Sequence, residues 1–264
     1  MVKLIKRLLI VFLSLYLCFI TGLYWFQEKL IFLSAPVAST HQYEFEASTK
    51  DVWLTNSDAL LHGVLFESQS AKERGVVLYF KGNMGNVGHS ERLASLFLKL
   101  GYDVLSMDYR GSGKSRGNLS EERLLKDAEL WHDWASKEYN GKIRVVGYSL
   151  GTTFASHIAA ARNVSHTILF APMWSIEDIA SRRYPFVPSF LTRYPFRSYE
   201  KLQKASGQVV IYHGTADQII PFQSGEALRA VLGADDVFKA VSGANHYDVA
   251  LRNEVVRDIT ERWL

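Results

Sequence analysis

Three patterns of apolar and polar residues follow one another along the chain. Near the start of the chain, residues 8–26 are almost continuously apolar and carry no charge. Three segments, 42–48, 51–56 and 60–68, alternate apolar with polar positions, which is typical of antiparallel strands with one face in water. From residue 76 onward, short apolar runs alternate with amphipathic segments. We therefore expect one long apolar helix, an antiparallel region and then a repeating strand–helix region.

The apolar runs after residue 76 have the length of strands that are buried on both faces. Their ranges are 76–80, 103–109, 143–149, 166–172, 208–214 and 237–243. The segments between and after them have helical periodicity, at 88–101, 120–139, 150–163, 222–233 and 246–264. This alternation predicts an α/β fold, a mostly parallel sheet with helices on both faces. Ligands of such sheets bind at the carboxyl ends of the strands.

One segment, residues 174–205, interrupts this rhythm. It contains the tetrapeptide RYPF twice, at 183–186 and 193–196, and it interleaves arginines with aromatic residues. We interpret it as a short cap, part loop and part short helix, over the top of the sheet. Such a composition suits contact with a membrane or an anionic, partly apolar substrate. The alternative is a solvated loop whose aromatic side chains pack onto the sheet.

Composition narrows the possible functions. Of 264 residues, 48% are hydrophobic and 22% charged, which suits a folded protein with a sizeable core. The net charge of +3 is small, whereas a nucleic-acid-binding protein normally carries a stronger basic face. Because Cys18 is the only cysteine, neither an intramolecular disulfide nor a cysteine-rich zinc site can form. In addition, no pair of histidines has convincing metal-ligand spacing. We expect neither a metal nor nucleic acid as partner; the oligomeric state stays open.

The uncharged run at residues 8–26 is long enough to cross a bilayer as a helix. Three basic residues precede it, and basic flanks stay in the cytosol. We predict a retained anchor at residues 1–30, with a cytosolic N-terminus, and a domain at residues 40–264 on the periplasmic or lumenal side. A cleaved signal peptide is the alternative, although its apolar core would be shorter. A core helix is disfavoured because the run has no polar face.

The pentapeptide Gly-Tyr-Ser-Leu-Gly at 147–151 lies where an apolar run ends and a helical segment begins. It matches G-x-S-x-G, a sharp strand-to-helix turn that projects its serine above a sheet. Gly147 and Gly151 suit such a turn because neighbouring chains pass close to both. The helix N-terminus presents N–H groups to a developing oxyanion. Ser149 is therefore the predicted nucleophile; a tight turn with a serine cap is the alternative.

A serine hydroxyl needs a base, most often a histidine that a carboxylate orients. Asp217 follows the run 208–214, and His246 follows the run 237–243. Both therefore lie at carboxyl ends of predicted strands, and the chain order Ser, Asp, His accompanies this serine motif. Asp248 and Asp178 are rival carboxylates.

These motifs together resemble the α/β-hydrolase superfamily. The serine motif is accompanied by HGTADQIIP at 213–221, GANH at 243–246 and DYRGSGKS at 108–115. From about residue 45 to its end, the chain is similar to membrane-anchored serine hydrolases with a hydrophobic N-terminus and a short cap. The resemblance implies that Ser149, Asp217 and His246 form a catalytic triad, that an ester-like bond is hydrolysed through an acyl-enzyme, and that no cofactor takes part.

One position departs from the pattern of the family. Members usually carry His-Gly-Asn after the strand written VVLYF here, whereas this chain has Lys81-Gly82-Asn83. The family's second oxyanion donor, the backbone N–H after His-Gly, maps to Asn83, with Met84 as the alternative, and Leu150 N–H supplies the other. Because the donors are backbone groups, Lys81 need not abolish the site. It either supports the loop or extends outward.

The sequence therefore predicts an α/β-hydrolase fold after one transmembrane helix, and a membrane-anchored serine hydrolase. Its expected substrates are small-molecule or lipid esters: carboxylic esters, thioesters or lipid acyl bonds. A hypothesis from another class is a membrane-tethered binding or scaffold protein of low turnover, which Lys81 favours. A peptidase of the same fold is a third hypothesis, but such enzymes usually add a large gating domain, which 264 residues do not accommodate.

Overall fold

The computed structural model describes residues 1–56, 58–69 and 74–263. Its strands are β1 (Leu33–Ser34), β2 (Thr49–Asn56), β3 (Ala59–Phe66), β4 (Val76–Phe80), β5 (Met84–Gly85), β6 (Asp103–Met107), β7 (Arg116–Gly117), β8 (Ile143–Tyr148), β9 (His166–Phe170), β10 (Gln208–Gly214) and β11 (Val237–Val241). Its α-helices are α1 (Val2–Ile31), α2 (Glu91–Lys99), α3 (Glu121–Glu138), α4 (Gly151–Ala161), α5 (Ile176–Arg183), α6 (Ser198–Leu202), α7 (Phe222–Glu226) and α8 (Asn253–Trp263). All six predicted strands form, but β11, at the edge of the sheet, is only partly buried rather than buried on both faces.

The central sheet has the order β11-β10-β9-β8-β4-β6-β3-β2, with β7 paired to β3. The strands from β11 to β6 run parallel, and β3 pairs antiparallel with both β2 and β6. The chain passes from β4 outward to β6 and then returns to the other side of β4 as β8. The order of the strands therefore reverses between β4 and β8, where open sheets of this kind bind their ligands.

Two apolar cores lie on opposite faces of the sheet, because successive side chains of a strand point to opposite sides. Leu78 of β4 belongs to a core that contains Trp131 of α3 and Phe154 of α4. Its neighbour Val77 belongs to a second core, with Phe97 of α2 among its members. The predicted layer of helices on both faces is thus confirmed.

Two predictions for the antiparallel region are wrong. Residues 42–48 form no strand. Their alternation instead reflects ring packing, since Tyr43 stacks on His62 and Phe45 packs edge-on against Phe66. In addition, β3 is buried along nearly its whole length rather than wet on one face, because its side chains enter both apolar cores, Leu65 on one face and Val64 on the other.

The helix α1 lies outside the sheet. Its most apolar window has a mean hydropathy of 2.1 and none of that window is buried, so a core helix is excluded. After α1 the chain stays on the domain: Leu33 of β1 pairs in parallel with Met84 of β5, and Val37 N–H donates to the carbonyl of Gly113 at 2.9 Å. The segment 33–37 therefore packs on the domain before residue 40, and the division at residues 30 and 40 stays a prediction.

Candidate active site

Ser149 occupies the sharp turn between β8 and α4. Its φ of +52° lies in the left-handed region, which few residues other than glycine adopt. A Cβ at Gly151 would stand 1.9 Å from the carbonyl oxygen of Phe80, and one at Gly147 would stand 2.6 Å from Cα of Thr152. Both glycines are thus required by the close approach of neighbouring backbone, as the motif predicts.

The three predicted triad side chains are in hydrogen-bonding contact. His246 Nε2 lies 3.0 Å from Ser149 Oγ, and His246 Nδ1 lies 2.7 Å from Asp217 Oδ2. All three residues are buried. Because a carboxylate accepts only, Nδ1 carries the proton and Nε2 is left to accept from the serine hydroxyl. The arrangement can therefore remove the hydroxyl proton of Ser149.

The environment of Asp217 keeps its carboxylate ionised. Its Oδ1 accepts the backbone N–H groups of Ile219 and Ile220 at 2.8 and 2.9 Å. Burial by itself would raise the pKa of Asp217, but the hydrogen bond and charge of His246 and the two backbone donors outweigh burial, and the pKa lies below its usual value. An ionised Asp217 can hold the imidazole in one orientation and stabilise its protonated form.

The two rival carboxylates have other partners. Asp248 accepts the N–H of Asn245 at 2.7 Å and pairs with Arg252 at 2.8 Å. Asp178 accepts the hydroxyl of Ser224 at 2.6 Å and pairs with Arg182 at 2.8 Å. Within residues 1–56, 58–69 and 74–263, neither carboxylate makes a hydrogen bond to His246, so the geometry favours Asp217.

The candidate oxyanion donors flank Ser149. Leu150 follows it in the chain, and a Cβ on Gly82 would lie 3.6 Å from Cβ of Ser149, which places the loop that carries Asn83 beside the serine. Among the described parts of the chain, no acceptor receives the backbone N–H of Leu150 or of Asn83. Two donors are thus left for an oxyanion. Met84, the alternative, belongs to β5 and pairs with β1.

Comparison with known proteins identifies the family of the chain. Residues 71–206 match the family described as serine aminopeptidase, S33. The chain belongs to this family. An uncharacterized protein of Mycobacterium tuberculosis (strain CDC 1551 / Oshkosh) is 29% identical over 255 residues, 93% of this chain and 89% of that protein. The lysophosphatidylserine lipase ABHD12 of Danio rerio is 30% identical over 185 residues, 62% of this chain and 48% of that protein.

The fold of this S33 family member is shared with solved structures. The esterase Pf2001 of Pyrococcus furiosus superposes with a TM-score of 0.70 at 17% identity, over 88% of this chain and 97% of that chain. The predicted α/β-hydrolase fold is therefore confirmed, and so is the prediction of a serine hydrolase.

Lys81, where the S33 hydrolase departs from the expected histidine, points inward. Lys81 is only 5% exposed. Its Nζ donates to the carbonyl of Gly85 at 3.2 Å and lies 5.0 Å from the centre of the Tyr109 ring. Burial lowers the pKa of Lys81 to about 8, although the charge of Asp108 raises it. Of the two readings of the sequence, support of the loop is the one that fits, because Lys81 Nζ closes the 81–85 turn.

Two neighbours of the triad have no role in the sequence prediction, although both lie in its motifs. Tyr148 is a variable position of G-x-S-x-G, yet its hydroxyl donates to the backbone carbonyl of His246 and its ring meets the imidazole edge-on. His213 Nε2 lies 3.1 Å from the carbonyl of Ile220 and 3.5 Å from Asp217 Oδ2. Burial lowers the pKa of His213, which favours a neutral donor to these oxygens. Tyr148 therefore helps to hold His246 in place, and His213 helps to hold the loop that carries Asp217.

No metal centre accompanies the site: in the parts of the chain that the structure describes, no group of three or more His, Cys, Asp or Glu side chains could hold an ion.

Proposed function

We propose that the protein is a membrane-anchored serine hydrolase that cleaves carboxylic ester, thioester or lipid acyl bonds, with Ser149, His246 and Asp217 as its catalytic residues. The observation that carries the proposal is the unbroken chain of contacts from Asp217 through His246 to Ser149. The unpaired N–H groups of Leu150 and Asn83 beside the serine support it.

The geometry supports a two-stage reaction. Ser149 Oγ attacks the acyl carbon while its proton passes to His246 Nε2. A negative charge then forms on the carbonyl oxygen, and the backbone N–H groups of Leu150 and Asn83 stabilise this charge. The tetrahedral intermediate collapses, the bond to the leaving group breaks, and His246 returns the proton to the departing oxygen or sulfur. Water, deprotonated by His246, then attacks the acyl-Ser149 ester. The bond to Ser149 Oγ breaks, His246 returns the proton to Oγ, and the acid is released.

Contacts between α1 and the cap support a retained anchor. Arg193 N–H donates to Gln27 Oε1 at 2.8 Å, and Gln27 Nε2 donates to the carbonyl of Leu191 at 2.7 Å. Arg193 also pairs with Glu28 at 2.9 Å. Removal of α1 as a signal peptide would break all of these contacts. We therefore propose that α1 stays in the membrane with its basic N-terminus in the cytosol and the hydrolase domain on the periplasmic or lumenal side.

Labelling with a fluorophosphonate tests the nucleophile. We expect labelling of the wild type and of Ser156→Ala, a control that removes another buried serine from α4, and none of Ser149→Ala. Equal labelling of wild type and Ser149→Ala, or of neither, would contradict the proposal and favour a low-turnover scaffold. Turnover of p-nitrophenyl esters of increasing chain length, beside phospholipids, would then define the acyl group.

A second candidate activity comes from the name of the matching family, serine aminopeptidase. Aminoacyl p-nitroanilides in the same assay distinguish the two. Faster cleavage of these amides than of any ester would replace the esterase proposal with a peptidase that uses the same triad.

Orientation has a separate test. A reporter fused at the C-terminus should read as non-cytosolic, and a cytosolic signal would reverse the proposed topology.

A further inference from the structure

We propose that the face of the protein around Ser149 docks onto the bilayer, so that substrate reaches the serine from the lipid leaflet. The inference rests on the proposed anchor. It narrows the substrate class to amphiphiles whose scissile ester lies at the boundary between headgroups and acyl chains.

The first observation is that α1 ends against the oxyanion loop. Asn83 Nδ2 donates to the carbonyl of Ile31 at 2.9 Å, and Leu33 pairs with Met84. Ile31 is only five residues beyond Phe26, the end of the uncharged run, which corresponds to about 7 Å along a helix. When residues 8–26 cross the hydrocarbon, the oxyanion loop is therefore held at the level of the headgroups.

The second observation is that the tip of the cap lies deeper than the headgroups, beside the part of α1 that crosses the hydrocarbon. The ring of Phe186 lies 5.8 Å from the ring of Phe19, and the hydroxyl of Tyr16 donates to the carbonyl of Phe186 at 2.8 Å. Phe19 precedes Phe26 by two helical turns, roughly 10 Å of depth. A spanning α1 therefore carries Phe186 into the hydrocarbon.

The third observation is where large apolar side chains are exposed. Outside α1, the described residues expose eight of them: Leu33, Trp53, Leu60, Met84, Phe186, Phe190, Ile219 and Tyr247. Two of these eight belong to β2 and β3. The other six belong to the cap tip, which is residues 186–190, to the paired strands β1 and β5, or to the loops that carry Asp217 and His246.

Three of these six residues are joined directly to residues of the site. Met84 follows the oxyanion donor Asn83, Tyr247 follows His246, and Ile219 bonds Asp217 through its N–H. Phe190 of the cap tip is 83% exposed, which is costly in water and favourable in hydrocarbon. Apolar patches of this kind mark membrane or partner contacts. We assign this one to the bilayer because the neighbouring α1 already requires hydrocarbon at the depth of Phe186.

The test measures depth without using turnover. In a Cys18→Ser background of the full chain, Phe186→Cys, Phe190→Cys and Tyr247→Cys are labelled with the fluorophore NBD and reconstituted into phosphatidylcholine–phosphatidylglycerol vesicles. Leu60→Cys is the matched control, an exposed leucine of β3. We expect a nitroxide lipid to quench the three site positions and aqueous iodide to quench position 60. Quenching by iodide at all four positions would overturn the docking proposal.

Labelling of Cys18 in the otherwise unchanged chain separates the two proposals. Cys18 lies within α1, so its label should be quenched by lipid. A shielded Cys18 label with exposed labels at 186, 190 and 247 overturns docking and leaves the anchor standing. An exposed Cys18 label overturns the anchor and docking with it.

An activity ratio provides the functional arm. In the double variant Phe186→Ser/Phe190→Ser, turnover of an acyl ester embedded in vesicles should fall about tenfold relative to turnover of soluble p-nitrophenyl acetate, because two side chains leave the hydrocarbon. The double variant Trp53→Ser/Leu60→Ser should keep the wild-type ratio. An unchanged ratio in the cap variant would overturn the inference, whereas loss of both activities in Ser149→Ala bears only on the proposed catalytic mechanism.

Discussion

The side-chain amide of Asn83 donates a hydrogen bond of 2.9 Å to the backbone carbonyl of Ile31, the last residue of α1. In the proposed mechanism the backbone N–H of the same asparagine stabilises the oxyanion. The loop that carries this donor is thus held from one side by the apolar helix and from the other by Lys81, whose ammonium closes the 81–85 turn.

Replacing Asn83 with alanine should lower kcat by about fivefold, because the loop of the backbone donor loses a hydrogen bond whose net contribution is on the order of 1 kcal/mol. KM should change little. Asn163→Ala, an exposed asparagine before β9, should behave like the wild type. Steady-state kinetics on one soluble ester measure both variants, and an unaltered kcat for Asn83→Ala would show that the link to Ile31 does not position the donor.

Replacing Asp217 with asparagine should reduce kcat by a factor on the order of 10³ to 10⁴, since an amide no longer holds His246 with Nδ1 as the donor. Asp248→Asn should cost much less, because Asp248 bonds Asn245 and Arg252 instead. Comparison of the two variants by kcat decides between the carboxylates. A larger loss in Asp248→Asn would move the acid from residue 217 to residue 248.

Replacing Tyr148 with phenylalanine removes the hydroxyl that bonds the carbonyl of His246 and keeps the edge-on ring. We expect a fall in kcat of about fivefold, consistent with one hydrogen bond, with fluorophosphonate labelling slowed but complete. The control Tyr199→Phe removes a hydroxyl that bonds Glu200 on α6, and it should leave the rate of labelling unchanged. Equal rates in the wild type and Tyr148→Phe would exclude a positioning role.

The buried ammonium of Lys81 predicts a pH dependence of stability. Burial lowers the pKa of Lys81 to about 8 in the folded protein, whereas an unfolded lysine titrates near 10.4. Between these values the unfolded chain binds more protons, so stability should rise with pH. The cost of burying the charge is fully present below pH 8 and is lost as pH approaches 10.4, a total of roughly 3 kcal/mol.

The measurement is the free energy of unfolding in detergent from pH 7 to pH 10.5, for the wild type and for Lys81→Met. The difference between them should shift in favour of the wild type as pH rises. Lys137→Met, at an exposed lysine of α3, should track the wild type at every pH. A constant difference between the wild type and Lys81→Met would contradict a lowered pKa.

The sequence was informative wherever a local pattern determines the structure. The parallel strands are visible in the sequence as short apolar runs. Because the carboxyl ends of parallel strands meet at one edge of the sheet, Ser149, Asp217 and His246 could be expected together. Gly147 is required by backbone of its own turn, at Thr152, and Gly151 by the end of the neighbouring parallel strand, at Phe80. In each case the pattern and the contact lie within a few residues, or follow from the geometry of parallel strands.

Contacts between distant segments had no such signal. The bond from Tyr148 to His246 joins residues 98 apart, and the bond from Asn83 to Ile31 joins residues 52 apart. The alternation at residues 42–48 was misleading because ring packing on His62 and Phe66 produces the same pattern as a strand. The pairing of β1 with β5 was missed because two-residue strands are too short to show periodicity.

The pairing of Leu33 with Met84 has a practical consequence for preparing a soluble form. A version that begins at residue 40 would dissolve more readily because it lacks α1, but it would also lack the short strand beside the oxyanion loop. Weak activity of such a preparation would therefore result from the loss of that strand. A version that begins at Phe32 would keep that strand and the packing of Phe32 on Tyr194.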